Sequence, residues 1–189
     1  VIILDIDETI LDNSPYNAKL VLEDESYNLA TWMDWTSKAE AELVPGAFDF
    51  LMFAFELDYK VKFISNRTVE ELENTLINLR KFGLSVNESD FLLKEDKSEK
   101  TSRRNQIIDQ YNIIMLVGDN LADFDQAFEQ IESIEGRKND VDDFKENFGS
   151  KFIILPNVMY GDWKKALNQS DNIGNQKNVT GPKKLLKSY

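Results

Sequence analysis

The sequence of 189 residues contains no cysteine and no histidine. Without cysteine there is no disulfide framework, no thiolate zinc site and no cysteine nucleophile. Without histidine there is no Ser-His-Asp triad, no imidazole base and no histidine metal site. Chemistry through a phosphohistidine or a histidine-ligated metal pair is excluded on the same ground, as is haem capture through histidine. Long hydrophobic runs are also missing; an apolar stretch such as residues 113–118 is far too short to cross a bilayer. Positive charge is scarce, with 22 Lys and Arg against 34 Asp and Glu and a net charge of −12. That balance argues against a nucleic-acid polymer or an anionic membrane as partner. It leaves room for a small phosphorylated ligand, because local charge and a metal decide that. Any hydrolytic chemistry must run on carboxylates, lysine or hydroxyls, with a hard, oxygen-preferring metal as helper.

The composition, 42% hydrophobic and 30% charged, is that of a soluble globular chain. Its length suits one domain, or one domain with a small insertion. The first residues, Val1-Ile2-Ile3-Leu4, already lie inside an apolar run. A natural chain rarely opens in mid-strand, so residues upstream are expected, and a signal peptide or lipid-anchor cysteine could lie among them. Residues 172–189 carry Lys177, Lys183, Lys184 and Lys187 and no acid, which reads as a solvated tail.

Apolar runs at 1–4, 60–64, 91–93, 113–117 and 152–155 predict strands. Between them the pattern predicts helices. One starts at Pro45 and runs over 47–57. A second runs from Thr68 to Lys81, with Glu71 completing a capping box and Gly83 past its end. Others are expected near 101–111, 123–131, 140–148 and 160–167. Residues 13–43 are mixed and aromatic and read as an irregular or helical insertion. Alternating strands and helices predict an α/β fold with an open parallel sheet, in which ligands bind at the carboxyl ends of the strands.

Three strand ends read Asp5-Ile6-Asp7-Glu8-Thr9, Ser65-Asn66-Arg67 and Gly118-Asp119-Asn120. Asp5 and Asp7 are two apart, so a turn after the strand can bring both carboxylates into one pocket. Close carboxylates repel and call for a cation or a shared proton. One can then be a nucleophile and the other a general acid and base. Taken alone, Asp-x-Asp-x-Thr is just as well explained by turn and cap residues. Asp119 and Asp123 change the weighing, because carboxylates from two strand ends form the oxygen set that Mg²⁺ prefers. Ser65 adds a hydroxyl. Lys100 begins a helix, where its ammonium and the free N–H groups both favour an anion. Lys94 and Lys97 lie close enough in sequence to be alternatives. Together these groups match what phosphoryl transfer needs.

The set Asp5-Ile6-Asp7-Glu8-Thr9, Ser65, Lys100 and Gly118-Asp119-Asn120-Leu121-Ala122-Asp123 resembles the four motifs of the haloacid dehalogenase superfamily. The run from Asp5 to Tyr16, Val44-Pro45-Gly46-Ala47, the run from Val117 to Phe124 and that from Leu155 to Trp163 resemble the class C acid phosphatases. These are bacterial surface lipoproteins that act as 5′-nucleotidases. The resemblance implies a three-layer Rossmann-like parallel sheet of the haloacid dehalogenase type with a small helical cap insertion. It implies a core of residues 1–12 and 44–160, a cap-like insertion at 13–43, and a C-terminal helical segment and tail at 161–189. Asp5 would become the aspartyl phosphate. Asp7 would protonate the leaving alkoxide and then activate water. Mg²⁺ would be held by Asp5, the main-chain carbonyl of Asp7 and Asp119, with Asp123 on a metal water or orienting Asp119. Ser65 and Lys100 would hold the phosphoryl oxygens. Asn66 and Arg67 would touch phosphate or orient the loop, and Thr9 would tie the loop down or cap a helix.

Trp32 and Trp35 stand at i and i+3, as do Tyr160 and Trp163, a spacing that more often means packing than a ligand box. By resemblance, Trp32 and Tyr160 fall where the family grips a nucleobase or nicotinamide between rings, which leaves Trp35 and Trp163 as packing residues. The expected substrate is a nucleoside monophosphate or nicotinamide mononucleotide, and the expected location is the bacterial cell surface or periplasm. A phosphotransferase of the same superfamily would share every motif. A non-enzymatic surface adhesin would tolerate a lost catalytic residue, yet all the expected ones are present. A phosphorylatable receiver domain would carry its acceptor Asp on an inner strand well into the chain, not at the end of the first.

Overall fold

The computed structural model describes residues 1–130 and 133–171. The elements run β1 (Ile2–Leu4), β2 (Leu11–Asp12), α1 (Ser14–Leu22), α2 (Leu29–Ser37), β3 (Glu42–Leu43), α3 (Ala47–Glu56), β4 (Val61–Thr68) and α4 (Leu72–Lys81). They continue with β5 (Phe91–Lys94), α5 (Thr101–Ile108), β6 (Met115–Gly118), α6 (Ile134–Asp143), β7 (Phe152–Ile154) and α7 (Asp162–Asp171).

Five strands form one parallel sheet in the order β5-β4-β1-β6-β7. The α/β fold read from the sequence is therefore the fold observed. The first strand is central because it is apolar on both faces. Ile2 and Leu4 enter one core with Leu51 and Ala54 of α3 and Leu76 and Leu79 of α4. Ile3 points the other way, into a second core with Ile107 of α5, Phe124 and Phe128. Opposite orientation of successive side chains turns a continuous apolar run into the middle layer of three. The chain builds outward from β1 through β4 and β5, then returns to its other side with β6 and β7. The strand order reverses beside β1, and in open sheets a crevice forms at that place.

Residues 13–41 leave the sheet as α1 and α2. A short antiparallel pair closes the excursion at its base, Leu11 opposite Leu43 and Asp12 opposite Glu42. That pair was not visible in the sequence, because two residues per strand carry no period.

Four local readings change. Pro45 does not occupy the first helical position. The Ala47 N–H donates to the Val44 carbonyl at 2.9 Å and Gly46 has φ 87°, so Pro45-Gly46 makes a turn of type II ahead of α3. The helix expected over 123–131 is absent from the described part of that span. Two single 3-10 turns, Leu121–Asp123 and Gln126–Phe128, stand there instead. The Asp123 carboxylate bends back to the Asn120 N–H at 2.9 Å and Asp125 caps the next turn, so side chains take the amides a helix would need. The polar helix expected over 140–148 begins earlier, as α6, and ends in a separate 3-10 turn. The last helix starts at Asp162, two residues later than expected. The basic tail read at 172–189 lies outside the described residues.

Candidate active site

Asp5 follows β1 and its carboxylate is buried, 8% exposed. The Lys100 ammonium reaches it from the start of α5, with Nζ 2.6 Å from Asp5 Oδ1 and 2.6 Å from Asp123 Oδ1. Of the three candidate lysines, Lys100 is thus the one bonded to Asp5. Burial alone would lower the Lys100 pKa, but Asp123 and Asp5 hold it above the usual lysine range. Burial drives the Asp5 carboxyl far above the ordinary carboxylate range; Lys100 opposes this, and Asp123, Asp119 and Asp7 add to it.

Asp119 follows β6, the strand beside β1. One oxygen from each of Asp5, Asp119 and Asp123 lies within 4.8 Å of the others. Burial first and Asp123 second push the Asp119 carboxyl up to about 7, while Asn157 and Lys100 pull it down. Three carboxylates packed so closely repel unless a cation or protons join them. An all-oxygen set of this kind fits a hard divalent cation. Gly118 makes the approach feasible, since a Cβ there would stand 2.6 Å from both Cβ and Cγ of Asp123.

The Asp7 carboxylate lies apart from this group. Its Oδ1 accepts from Arg67 Nη2 at 2.7 Å, Arg67 Nε at 3.0 Å and Asn13 Nδ2 at 2.9 Å. Arg67 is 2% exposed, and its third donor, Nη1, is 3.0 Å from Thr75 Oγ1. Burial works against the Arg67 charge, yet Asp7 holds its pKa above the usual value.

Ser65, Asn66 and Arg67 sit on a bulge. Ile64 pairs with Leu92 and Thr68 with Lys94, so β4 spends four residues where β5 spends two. Bulges of this sort re-aim side chains. Ser65 Oγ accepts the Arg67 N–H at 3.1 Å, which leaves its own hydrogen free to donate. Arg103 bonds the Ser65 carbonyl and, at 2.8 Å, Asn66 Oδ1. The free amides at the start of α5 are taken by the chain itself: Glu129 Oε1 is 2.7 Å from the nitrogens of both Lys100 and Thr101. The anion expected at that helix end is a protein carboxylate. Thr9 caps no helix among the described residues; its Oγ1 is buried and has no hydrogen-bond partner among them, and Asn13 is the residue that precedes α1.

A scan of family models matches residues 1–163 to "HAD superfamily, subfamily IIIB (Acid phosphatase)". The chain belongs to this family. The structure of the Class C acid phosphatase from Bacillus anthracis superposes on the subfamily IIIB chain with a TM-score of 0.87 and 38% identity, covering 100% of this chain and 80% of that one. A second structure of that phosphatase, with tungstate bound, matches at 0.87 and 37%, with the same coverage. Among curated sequences, the Stem 28 kDa glycoprotein of Glycine max is 31% identical over 130 residues, 64% of this chain and 51% of that protein. The subfamily IIIB chain spans about half the length of the curated relatives it matches.

In this acid phosphatase-family chain, Trp32 is 8% exposed and packed edge-on by Tyr16, with ring centroids 5.2 Å apart. Its Nε1 donates to Glu71 Oε1 at 3.0 Å, and the Arg67 guanidinium lies 5.8 Å from its ring centre. Tyr160 is half-buried after β7 and makes no ring contact with Trp32 among the described residues. The Trp35 indole is not only packing, for its Nε1 donates to Asn13 Oδ1 at 2.8 Å. Trp163 Nε1 donates to the Tyr160 carbonyl.

Sequence reasoning missed several partners of these groups. Asn157 donates to Asp119 Oδ2 at 2.7 Å from the end of β7. The rule that found the other strand ends, a polar residue just past an apolar strand, could have found it. Glu8 was also passed over. Its Oε2 is buried without a partner among the described residues, and burial, then Asp7, raise the carboxyl to about 8. Glu129 carried no local signal, whereas Arg103, with Arg104, stands in the helix turn after Lys100 and favours Lys100 over Lys94 and Lys97. Among the described residues no helix is long and apolar enough to cross a membrane.

Proposed function

We propose that the protein is a Mg²⁺-dependent acid phosphatase that hydrolyses phosphomonoesters, nucleoside 5′-monophosphates or nicotinamide mononucleotide foremost, through an aspartyl phosphate. The observation that carries this reading is the position of Asp5, bonded by Lys100 and grouped with Asp119 and Asp123 at the strand-order reversal. The tungstate bound to the Bacillus anthracis phosphatase, an oxyanion, supports it.

In this reading Asp5 attacks phosphorus through the oxygen that Lys100 leaves free. Lys100 and Ser65 hold the phosphoryl oxygens, and Asn66, whose Oδ1 is engaged by Arg103, would touch phosphate through its N–H₂ or orient the loop. Asp7 gives a proton to the departing alkoxide. It then takes one from the water that attacks the phosphoaspartate, so the bond to Asp5 breaks and phosphate leaves. Arg67 serves as the support of Asp7, its three nitrogens already engaged by Asp7 and Thr75. The cation would be held by the carboxylates of Asp5 and Asp119 and the main-chain carbonyl of Asp7. Bound there, it supplies Lewis-acid polarisation of the phosphoryl group. Asp123, whose oxygens accept from Lys100 and from the Asn120 N–H, would bind a metal water or orient Asp119 while it supports Lys100.

Trp32 and Tyr160 would hold the base, residues 13–43 would form a cap over the strand ends, and Thr9 would steady the turn. A cap excludes water and reaches the part of the substrate that does not react. A bacterial surface or periplasmic location, with a lipid anchor upstream, goes with this reading. Purified protein with Mg²⁺ should release phosphate from AMP, and EDTA should abolish the release until Mg²⁺ is restored. Failure to release phosphate from any phosphomonoester between acidic and neutral pH would sink the proposal. Transfer of the phosphoryl group to added alcohols in preference to water would favour a phosphotransferase.

A further inference from the structure

Helix α2 is joined to Asp7 by two hydrogen bonds in series. The Trp35 indole N–H donates to Asn13 Oδ1 at 2.8 Å, and Asn13 Nδ2 donates to Asp7 Oδ1 at 2.9 Å. Asn13 is 0% exposed and sits immediately before α1. An indole nitrogen can only donate, so it fixes which end of the Asn13 amide faces it. The amide N–H₂ must then face Asp7. Flipped, the amide would set its carbonyl oxygen against the Asp7 carboxylate and its N–H₂ against the indole N–H, which would be left without an acceptor.

The two oxygens of Asp7 are treated unequally. Oδ1 accepts from Asn13 Nδ2, Arg67 Nε and Arg67 Nη2, whereas Oδ2 has, among the described residues, one hydrogen bond, from Arg67 Nε at 3.2 Å. Three donors converging on one oxygen leave the other as the atom with room for a proton. Arg67 approaches from β4 and Asn13 from the start of the excursion, so the carboxylate is held from two sides.

We propose that Asn13, locked by Trp35, is a positioning residue that presents Asp7 Oδ2 to the leaving group, so that helix α2 supports proton transfer. This rests on the reading of Asp7 as the acid and base. In the first step the Asp5–phosphorus bond forms, the bond from phosphorus to the leaving oxygen breaks, and the proton on Asp7 Oδ2 moves to that oxygen. In the second, water forms the new bond to phosphorus, its proton returns to Asp7 Oδ2, and the Asp5–phosphorus bond breaks.

The test compares Trp35→Phe with the unaltered chain, both with Mg²⁺, on glycerol phosphate and on p-nitrophenyl phosphate. An alkoxide needs a proton to leave, whereas p-nitrophenolate departs without one. The ring remains in Trp35→Phe, while the N–H that orients Asn13 is lost. The expected result is a fall of about tenfold in kcat/KM for glycerol phosphate, the scale of one lost buried hydrogen bond, with p-nitrophenyl phosphate within about twofold. Equal losses on the two substrates, or a rise in KM alone, would overturn the inference. Asn13→Ser carries the same comparison should Trp35→Phe not fold, because serine is accepted equally well before a helix. An unaltered chain that hydrolyses neither ester would instead overturn the reading of the site itself.

Discussion

Gly118→Ala offers a direct measure of how tightly the site is packed. The added Cβ would lie 2.6 Å from Cβ and Cγ of Asp123, closer than real contacts of that kind come. The backbone cannot give way. Gly118 ends β6, which pairs with β1 on one side and β7 on the other, and the Leu155 N–H donates to the Gly118 carbonyl at 2.8 Å. Asp123 must therefore move, and both of its oxygens are committed, to Lys100 and to the Asn120 N–H. Overpacking of this kind costs about 2 kcal/mol. Loosening hydrogen bonds to a buried charge adds about 2 kcal/mol. For a domain of this size the sum lowers Tm by roughly 10 °C. Thermal unfolding followed by circular dichroism reads this directly. The same substitution made in an Asp123→Gly background should cost only a few tenths of a kcal/mol, since both atoms it strikes are gone. A single variant melting within about 2 °C of the unaltered chain, or an equal cost in both backgrounds, would refute the reasoning.

Two further substitutions probe the chemistry. Asp5→Asn should fold, with a circular dichroism spectrum unchanged, and lose turnover on every phosphomonoester; retained hydrolysis would remove Asp5 as nucleophile. Trp32→Ala should lower kcat/KM for AMP about tenfold more than for glycerol phosphate, the worth of one stacked base. Equal losses would make Trp32 a packing residue, a role its burial and its bond to Glu71 also suit.

What could be read from the sequence was local. Asp5, Ser65 and Asp119 each stand just past an apolar run, and a strand-helix alternation is enough to place such residues along one edge of a sheet. Lys100 was legible because it precedes a helix. The partners of these groups were not legible, because the sheet order brings them together. Arg67 meets Asp7 across sixty residues because β4 lies beside β1. Asn157 meets Asp119 because β7 lies beside β6. The span after Asp119 was misread as helical because propensity takes no account of side chains that bend back on the backbone, as Asp123 and Asp125 do. Trp35 was read as packing from its spacing, and spacing carries no information about where an indole N–H points.

The bulge in β4 sets two demands on the same three residues against each other. A regular ladder between Ile64 and Thr68 would add main-chain bonds to β5 and stiffen that side of the sheet. It would also withdraw Ser65, Asn66 and Arg67 from the strand end, since a regular ladder has room for one residue opposite Leu93 where these three now stand. Drift toward greater stability would thus favour shortening this segment, whereas drift in the site's chemistry can proceed by substitution only while its length is kept. The length of chain between Ile64 and Thr68, more than the identity of any one residue in it, is what an active descendant of this sequence must inherit.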